Sequence, residues 1–240
     1  MENNTQLKEM IRSMVIDVLQ GQKQENASSE SIKQAPRGQV EPGVFDTVDD
    51  AIRAAKAAQA RFEDCTLATR EKVIADIRAA MRPRVQELAQ KTVEETGMGR
   101  IADKVLKLNL TLDKTPGVED LVTECETGDN GMTLYELSAY GVIGAITPST
   151  NPAETLICNS IGMLAAGNAI FFSVHPGAKH LSRLLVSELN QIIAKSIGIE
   201  NLIVTIREPS IESAQEMMLH PDVSLLVVTG GPGVVKQALQ

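Results

Sequence analysis

Three short loops contain most of the residues in this sequence that could bind or activate a small molecule. The first, Thr147-Pro148-Ser149-Thr150-Asn151-Pro152, places hydroxyls and a carboxamide between two prolines, directly before a predicted helix. Asn151 could cap that helix, because Asn is among the best N-caps and Pro152 suits the first helical position. Alternatively, the proline-stiffened loop could aim the Asn151 amide as a hydrogen-bond donor to an oxyanion. Residue type alone leaves both interpretations open.

The second loop, Thr229-Gly230-Gly231-Pro232-Gly233, lies between an apolar segment and a segment predicted to be helical. Glycine allows a phosphate to approach the backbone closely, and the amino terminus of a helix favours negative charge. The loop is not a complete nucleotide fingerprint, because a GxGxxG pattern that starts at Gly231 would end at Lys236, and no GKS or GKT follows. A plain turn is therefore the alternative to a phosphate loop.

The third loop, His175-Pro176-Gly177-Ala178-Lys179, follows an apolar strand. His175 could contact the ribose or phosphate of a nucleotide, or it could be a polar residue that caps the strand end. A metal site is not predicted, because His175 and His180 are five residues apart and no carboxylate completes a ligand set. Cys158 lies in a predicted helix, where a free cysteine is usually a small buried hydrophobic side chain.

The alternation of apolar segments after residue 140 predicts the elements that position these loops. Short strands separated by helices are typical of βαβ crossovers and of a parallel sheet buried on both faces. The predicted strands are 142–147, 169–174, 202–206 and 224–229, and the predicted helices are 153–166, 178–196 and 211–219. Ligands of such sheets bind at the carboxyl ends of the strands, so the loops after Thr147, Val174, Ile206 and Thr229 should hold the site.

The residues before this sheet are predicted to be mainly helical. An Ala-rich helix should begin near Asp46 and Asp49, which resemble N-capping residues. A helical stretch over residues 69–96 should be interrupted at Pro83, which cannot donate a backbone hydrogen bond. Gly128-Asp129-Asn130-Gly131, flanked by alternating segments, indicates a β-hairpin.

Composition excludes several classes of partner. The chain of 240 residues carries 23 Lys and Arg against 31 Asp and Glu, a net charge of −8, which argues against binding to a nucleic-acid backbone. Two Tyr, four Phe and no Trp leave few rings for base stacking. No apolar run approaches the ~18 residues of a membrane span. Three cysteines without a CxxC pattern predict neither disulfide scaffolding nor a zinc site.

The first residues of the chain predict a separate module. Residues 1–20 form an amphipathic pattern, residues 21–44 read as a flexible polar linker, and residues 45–240 form the domain proper. An apolar stripe on a polar tether indicates a docking or targeting helix, whereas the alternative is a helix that folds back on its own domain. With five Lys and Arg against six Asp and Glu over residues 1–45, the helix is not predicted to bind anionic lipid.

Several segments occur in one order along the chain: ETGMGR (95–100), TGDNG (127–131), YGVIG (140–144), TPSTNPAET (147–155), AAGNA (165–169), FSVHP (172–176) and TGGPG (229–233). Together they resemble the coenzyme-A-acylating aldehyde dehydrogenases, most of all the acetaldehyde and propionaldehyde dehydrogenases of bacterial microcompartments. Residues 1–42 are similar to the encapsulation peptide and linker of microcompartment cargo.

The resemblance implies an α/β Rossmann-type domain and a reaction. In that family a cysteine thiolate attacks a short aldehyde, hydride passes to NAD, and coenzyme A takes the acyl group. Asn151 would stabilise the oxyanion. The cofactor would contact Pro148, Ser149, Thr150, His175, Pro176, Thr229, Gly230, Gly231 and Gly233. The resemblance further implies a shell-protein partner for residues 1–20, a homo-oligomer at full length, and a microcompartment in the bacterial cytoplasm.

Two features depart from that family. Related hydrolytic enzymes usually carry Lys in the position of His175, so nucleotide binding should be looser here. Cys65, Cys125 and Cys158 all precede the glycine loop, and none stands in the context of the family's nucleophile. The domain is therefore predicted to be incomplete at its carboxyl end and to turn over no aldehyde by itself. The rival interpretation is a non-catalytic docking or assembly module of a microcompartment.

Overall fold

The segments after residue 140 form a parallel sheet, as their apolar spacing predicts. A computed structural model describes residues 41–239 of the chain. The strands are β1 Val44–Phe45, β2 Glu124–Gly128, β3 Gly131–Tyr135, β4 Val142–Ile146, β5 Ala169–Ser173, β6 Ile203–Ile206 and β7 Val223–Val228. The helices are α1 Val48–Glu63, α2 Leu67–Met81, α3 Val85–Thr96, α4 Ile101–Lys114, α5 Pro152–Ala165, α6 Lys179–Ile197, α7 Ile211–Met218 and α8 Pro232–Ala238.

The order of the strands creates a crevice at the carboxyl ends of the strands. Within the described residues the sheet has the order β1-β6-β5-β4-β7, and every pair is parallel. The chain passes from β4 through β5 to β6 in one direction, and then returns to place β7 on the other side of β4. Right-handed crossovers therefore put α5 and α6 on one face and α7 on the other, where α7 contacts α1. The crevice opens at this reversal, beyond the carboxyl ends of the strands.

The middle of the sheet forms the core. Every residue of β4 and β5 is buried, as expected for parallel strands with helices on both faces. Two of the four Phe side chains, Phe171 and Phe172, are fully buried here. These two aromatic rings thus pack in the core and do not face a ligand. The α/β fold class predicted from the sequence is confirmed.

Helix α1 is capped by a residue that sequence reasoning overlooked. The hydroxyl oxygen of Thr47 accepts a hydrogen bond from the Asp50 backbone N–H at 3.2 Å. An N-cap must immediately precede the first helical residue, and Asp49 already lies inside the helix. Asp46 lies one residue too early and contacts Arg207 at 3.1 Å. The prediction that Asp46 and Asp49 cap this helix is therefore wrong.

Two other local predictions are confirmed. The helical stretch predicted over residues 69–96 is interrupted by a 3-10 turn at Arg82–Arg84, where Pro83 removes a backbone donor. The predicted hairpin is formed by β2 and β3, which pair in antiparallel register and close at Gly128 and Gly131. Its strands are exposed along their whole length.

The described domain begins earlier than composition suggests. Strand β1 pairs with β6, with Val44 opposite Thr205. Glu41 forms ion pairs with Arg183 at 2.6 Å and with Arg207 at 3.0 Å. Residues 41–44, which composition assigns to the linker, thus belong to the sheet domain. Composition misplaces them because a two-residue strand is too short to show a periodic pattern. The amphipathic helix predicted for residues 1–20 and most of the linker lie outside the described residues.

Candidate functional site

The loops that follow β4, β5 and β7 meet in one cleft of about 710 Å³, together with residues of α7 and α8. The cleft lies where the strand order reverses, at the carboxyl ends of the strands. Every residue that was expected to contact the cofactor or the oxyanion lines it: Pro148, Ser149, Thr150, Asn151, His175, Pro176, Thr229, Gly230, Gly231 and Gly233. Residues that are up to 85 positions apart in sequence therefore share one site.

The lining of the cleft is more apolar than polar, and it is almost free of charge. It combines hydroxyl and carboxamide groups with apolar side chains, and His175 is the only titratable residue among the described residues that line it. None of the described residues in its walls carries a carboxylate that would repel a phosphate. A phosphate-bearing ligand would therefore be held by neutral donors rather than by ion pairs.

Sequence reasoning missed the wall formed by α7 and α8. Ile211, Ala214 and Met218 on α7 line the cleft together with Val234 on α8, and Gln215 and Gln237 add carboxamides. An apolar slot with a few polar groups suits a flat heteroaromatic ring. The strand order could have predicted this wall, because the helices after β6 and β7 must flank the crevice.

Thr147, the residue at which the first loop begins, carries a second overlooked group. It lines the cleft, is 3 % exposed, and its hydroxyl has no hydrogen-bond partner in the described structure. Its backbone N–H donates to the Ser173 carbonyl at 3.1 Å, so the backbone there continues the sheet. The hydroxyl of Thr147 is thus a buried polar group without a described partner at the start of the first loop.

Asn151 occupies the N-cap position of α5, but its side chain makes no capping hydrogen bond. The side-chain oxygen Oδ1 instead accepts hydrogen bonds from Lys104 Nζ at 3.0 Å and from Lys107 Nζ at 3.1 Å. Pro152 takes the first helical position, as predicted. The interpretation of Asn151 as a helix cap is therefore wrong, because two lysines of α4 bind the oxygen that a cap would use.

Lys104 is buried beneath this loop, with 2 % of its surface exposed. Besides Asn151, its ammonium donates to the backbone carbonyl of Thr150. It also lies 3.3 Å from Oε1 of Glu154, which is 8 % exposed. Neither Glu154 oxygen has an aligned hydrogen bond, so charge attraction holds this pair. No motif or spacing in the sequence indicates a role for either residue.

His175 caps the turn that follows β5, and it also lies in the wall of the cleft. Its Nδ1 accepts a hydrogen bond from the Gly177 backbone N–H at 3.0 Å and so caps the 3-10 turn Pro176–Ala178. Since Nδ1 is the acceptor, the ring proton is on Nε2 in the neutral form. His175 also lines the cleft, so Nε2 is available as a donor to a ligand.

An ion pair lies close to His175 on the next helix. Lys179 contacts Glu208 at 2.6 Å, and this hydrogen bond lowers the pKa of the Glu208 carboxyl below its ordinary value. The Glu208 carboxyl is therefore ionised at neutral pH, and it forms an ion pair with Lys179 at the start of α6.

The glycine loop leaves open space above its backbone. Thr229 N donates to the Ile146 carbonyl at 3.0 Å and extends the pairing of β7 with β4. Gly231 then adopts an extended conformation, with φ −71° and ψ 166°, before Pro232. A Cβ placed at Gly231 or Gly233 would meet no atom within 4 Å. The absence of side chains therefore widens the cleft and is not needed for the backbone conformation.

None of the three cysteines lines this cleft within the described residues. Cys158 is exposed on α5, so the prediction that it is a buried hydrophobic side chain is wrong. Cys125 is exposed on the hairpin, and Cys65 is half-buried. Over residues 41–239, no cluster of His, Cys, Asp or Glu could hold a metal ion. No helix in that range is long and apolar enough to cross a membrane.

Comparison with known proteins gives a consistent result. A model of the aldehyde dehydrogenase family matches residues 19–240. A curated relative, the CoA-propanoylating propanal dehydrogenase of Salmonella typhimurium, is 50 % identical over 198 residues. That match covers 82 % of this chain and 43 % of the relative. The chain thus spans less than half the length of the relative.

Solved structures show the same partial match. A Rhodopseudomonas palustris propionaldehyde dehydrogenase with bound CoA and an acylated cysteine has a TM-score of 0.81 and 50 % identity, over 83 % of this chain and 46 % of that one. A propionaldehyde dehydrogenase from a Clostridium phytofermentans fucose utilisation bacterial microcompartment has a TM-score of 0.81 and 46 % identity, with the same coverage. An engineered glycolyl-CoA reductase with bound NADP+ has a TM-score of 0.81 and 48 % identity, over 85 % of this chain and 46 % of that one.

Proposed function

The chain belongs to the aldehyde dehydrogenase family, and from that premise we propose that it is the cofactor-binding part of an NAD-dependent, coenzyme-A-acylating enzyme. The substrate would be a short aldehyde, acetaldehyde or propionaldehyde, oxidised to its acyl-CoA through a cysteine thioester. The observation that carries the proposal is the convergence of three predicted loops on one cleft. When bound there, the nicotinamide cofactor accepts a hydride.

The chemistry of the cleft supports a shared site for the adenosine diphosphate portion of both cofactors. Its volume of about 710 Å³ lies within the range of ~300–1,000 Å³ usual for small-molecule sites. The apolar slot between α7 and α8 would take the adenine. Backbone N–H groups near Gly230 and Gly231 would face the diphosphate. Because the lining described here has no carboxylate, a phosphorylated ribose, as in NADP or coenzyme A, would also be accepted.

Asn151 would act as the oxyanion donor. Its amide lines the cleft, and a donor of this kind contributes about 3 kcal/mol to catalysis in other acyl-transfer enzymes. Pro148, Ser149, Thr150 and Pro176 would shape the wall next to the nucleotide. The residues of this chain would thus bind and orient the nucleotide and stabilise the charge of the oxyanion.

The glycine loop provides the sharpest test of binding. We expect Gly231→Val to weaken NAD+ and coenzyme A binding at least ~10-fold, equivalent to about 1.4 kcal/mol. The new side chain would fill the space that the diphosphate needs, while the extended backbone before Pro232 accepts Val without strain. Isothermal titration calorimetry of the purified chain measures both affinities.

The matched control is Gly128→Val on the exposed hairpin, where a Cβ also meets nothing within 4 Å. It should leave both affinities unchanged. Equal affinities in Gly231→Val and the parent chain would contradict the assignment of the phosphate site.

His175 gives a second prediction. His175→Asn keeps a side-chain oxygen that can cap the Pro176–Ala178 turn but removes the Nε2 donor. NAD+ affinity should fall by about 2- to 13-fold, the equivalent of one net hydrogen bond of ~0.5–1.5 kcal/mol. His175→Lys should bind NAD+ more tightly than the parent. Unchanged affinity in both variants, measured by the same titration, would show that His175 does not contact the nucleotide.

Residues 1–20 are proposed to dock the protein to a microcompartment shell protein in the bacterial cytoplasm, and the full-length enzyme to form a homo-oligomer. The solved relative from a fucose utilisation microcompartment supports this location. Deleting residues 1–20 should abolish co-sedimentation with purified shell protein and leave NAD+ affinity unchanged. Retained co-sedimentation would overturn the docking role.

A further inference from the structure

The orientation of the Asn151 carboxamide is determined by two lysines of α4. Lys104 Nζ and Lys107 Nζ both donate to Oδ1, at 3.0 and 3.1 Å. Exchanging the oxygen and nitrogen of the amide would place an NH2 group against two ammonium groups, all of them donors. The oxygen therefore faces α4. The Nδ2 group, for which no described protein atom is an acceptor, remains for whatever occupies the cleft.

The first of these lysines is fixed by burial and charge. Lys104 is 2 % exposed, and the carboxylate of Glu154, on the first turn of α5, lies 3.3 Å from it. The same ammonium binds the Thr150 carbonyl, one residue before Asn151. Lys104 therefore connects α4 to both the loop backbone and the side chain that the loop carries. Lys107 is exposed and adds a second donor from the next turn of α4.

We propose that Lys104 and Lys107 are positioning residues that hold Asn151 by its oxygen and thereby present Nδ2 as a hydrogen-bond donor to an acceptor atom in the cleft. This inference rests on the proposed function, in which that acceptor is the carbonyl or oxyanion oxygen of an acyl group. Two cations on the amide oxygen also polarise the carboxamide, which makes its N–H groups stronger donors. Glu154 acts indirectly, because its carboxylate holds the Lys104 ammonium in place.

The arrangement restricts the chemistry of the ligand atom. A side chain whose oxygen is already bound twice cannot accept a hydrogen bond from a hydroxyl or an ammonium of the ligand. Asn151 should therefore discriminate in favour of acceptors. A hydroxyl group at the same point could bind Asn151 only by turning an oxygen lone pair toward Nδ2, because its proton would otherwise face another donor.

The test follows the two Nδ2 protons of Asn151 by 1H–15N nuclear magnetic resonance on the 240-residue chain. Their signals are assigned by their loss in Asn151→Asp. In Lys107→Met, which alters an exposed side chain, we expect both signals to shift toward those of a free asparagine side chain. Lys107→Arg, which retains a donor, should restore them. Lys114→Met, an exposed lysine on the same helix, should leave them in place. Lys104→Met, where it folds, should shift them further.

The ligand arm uses propionyl-coenzyme A and coenzyme A as probes. Propionyl-coenzyme A should shift the Nδ2 protons beyond the shift caused by coenzyme A, because only the thioester supplies the acyl carbonyl. Nδ2 signals that are unchanged in Lys107→Met, or equal shifts when both probes bind, would overturn the proposal. Failure of the proposed function has a different signature, since neither probe would then bind while the response of Nδ2 to Lys107→Met would persist.

Discussion

Replacing Lys104 with Met should lower the free energy of unfolding by about 3–5 kcal/mol. The substitution removes the ammonium that lies 3.3 Å from Glu154, and leaves a carboxylate that is 8 % exposed without its cation. It also removes the donor to Asn151 and Thr150. Because a domain is stable by only ~5–15 kcal/mol, this loss is a large fraction of the total. Urea unfolding followed by circular dichroism measures it.

The double variant Lys104→Met with Glu154→Met separates charge from packing. Replacing both members of a buried ion pair with apolar side chains is often neutral, so stability should recover most of the way toward the parent. Lys114→Met, exposed on the same helix, should change stability by less than ~0.5 kcal/mol. A loss below ~1 kcal/mol in Lys104→Met would contradict the account of a buried charge that needs its partner.

Replacing Gly43 with Ala should lower the free energy of unfolding by about 2–5 kcal/mol. Gly43 has a φ of +76°, a conformation that costs Ala energy, and a Cβ there would lie 2.6 Å from the Ile203 carbonyl oxygen. It would also overlap the Asn190 side chain, which is fully buried and bonded to the backbone of β6. The same unfolding measurement applies.

Gly198→Ala is the matched control, because Gly198 has a similar φ of +72° but open space around its Cβ. It should lose only the ~1–2 kcal/mol of a left-handed conformation. The difference between the two variants therefore measures how tightly the segment before β1 packs against β6. Equal losses would show that residues 41–44 are not part of the sheet domain.

The position of the site was predictable from the sequence, whereas its supporting contacts were not. The alternation of strands and helices predicts a parallel sheet, and the topology then requires the loops at Asn151, His175 and Gly231 to share one edge. The ion pair of Lys104 with Glu154 joins residues 50 positions apart on different helices. No periodicity encodes such a pairing, because it depends on how α4 packs against α5.

Two of the errors arise because tertiary structure, and not residue type, determines the surroundings of a side chain. Asn151 has the residue type of an N-cap, but its oxygen is bound by α4. Cys158 has the type of a buried side chain, but it lies on the exposed side of α5. Thr47 shows the opposite case, since its capping hydrogen bond is local and a closer count of positions would have found it.

We propose that the cleft is one binding site for the adenosine diphosphate portion of both cofactors. The most direct measurement is isothermal titration calorimetry of NAD+ into the chain, with and without saturating coenzyme A. The account predicts that each ligand binds with a stoichiometry of one and that coenzyme A abolishes the heat of NAD+ binding. Independent binding of both ligands, or the absence of binding by either, would contradict it.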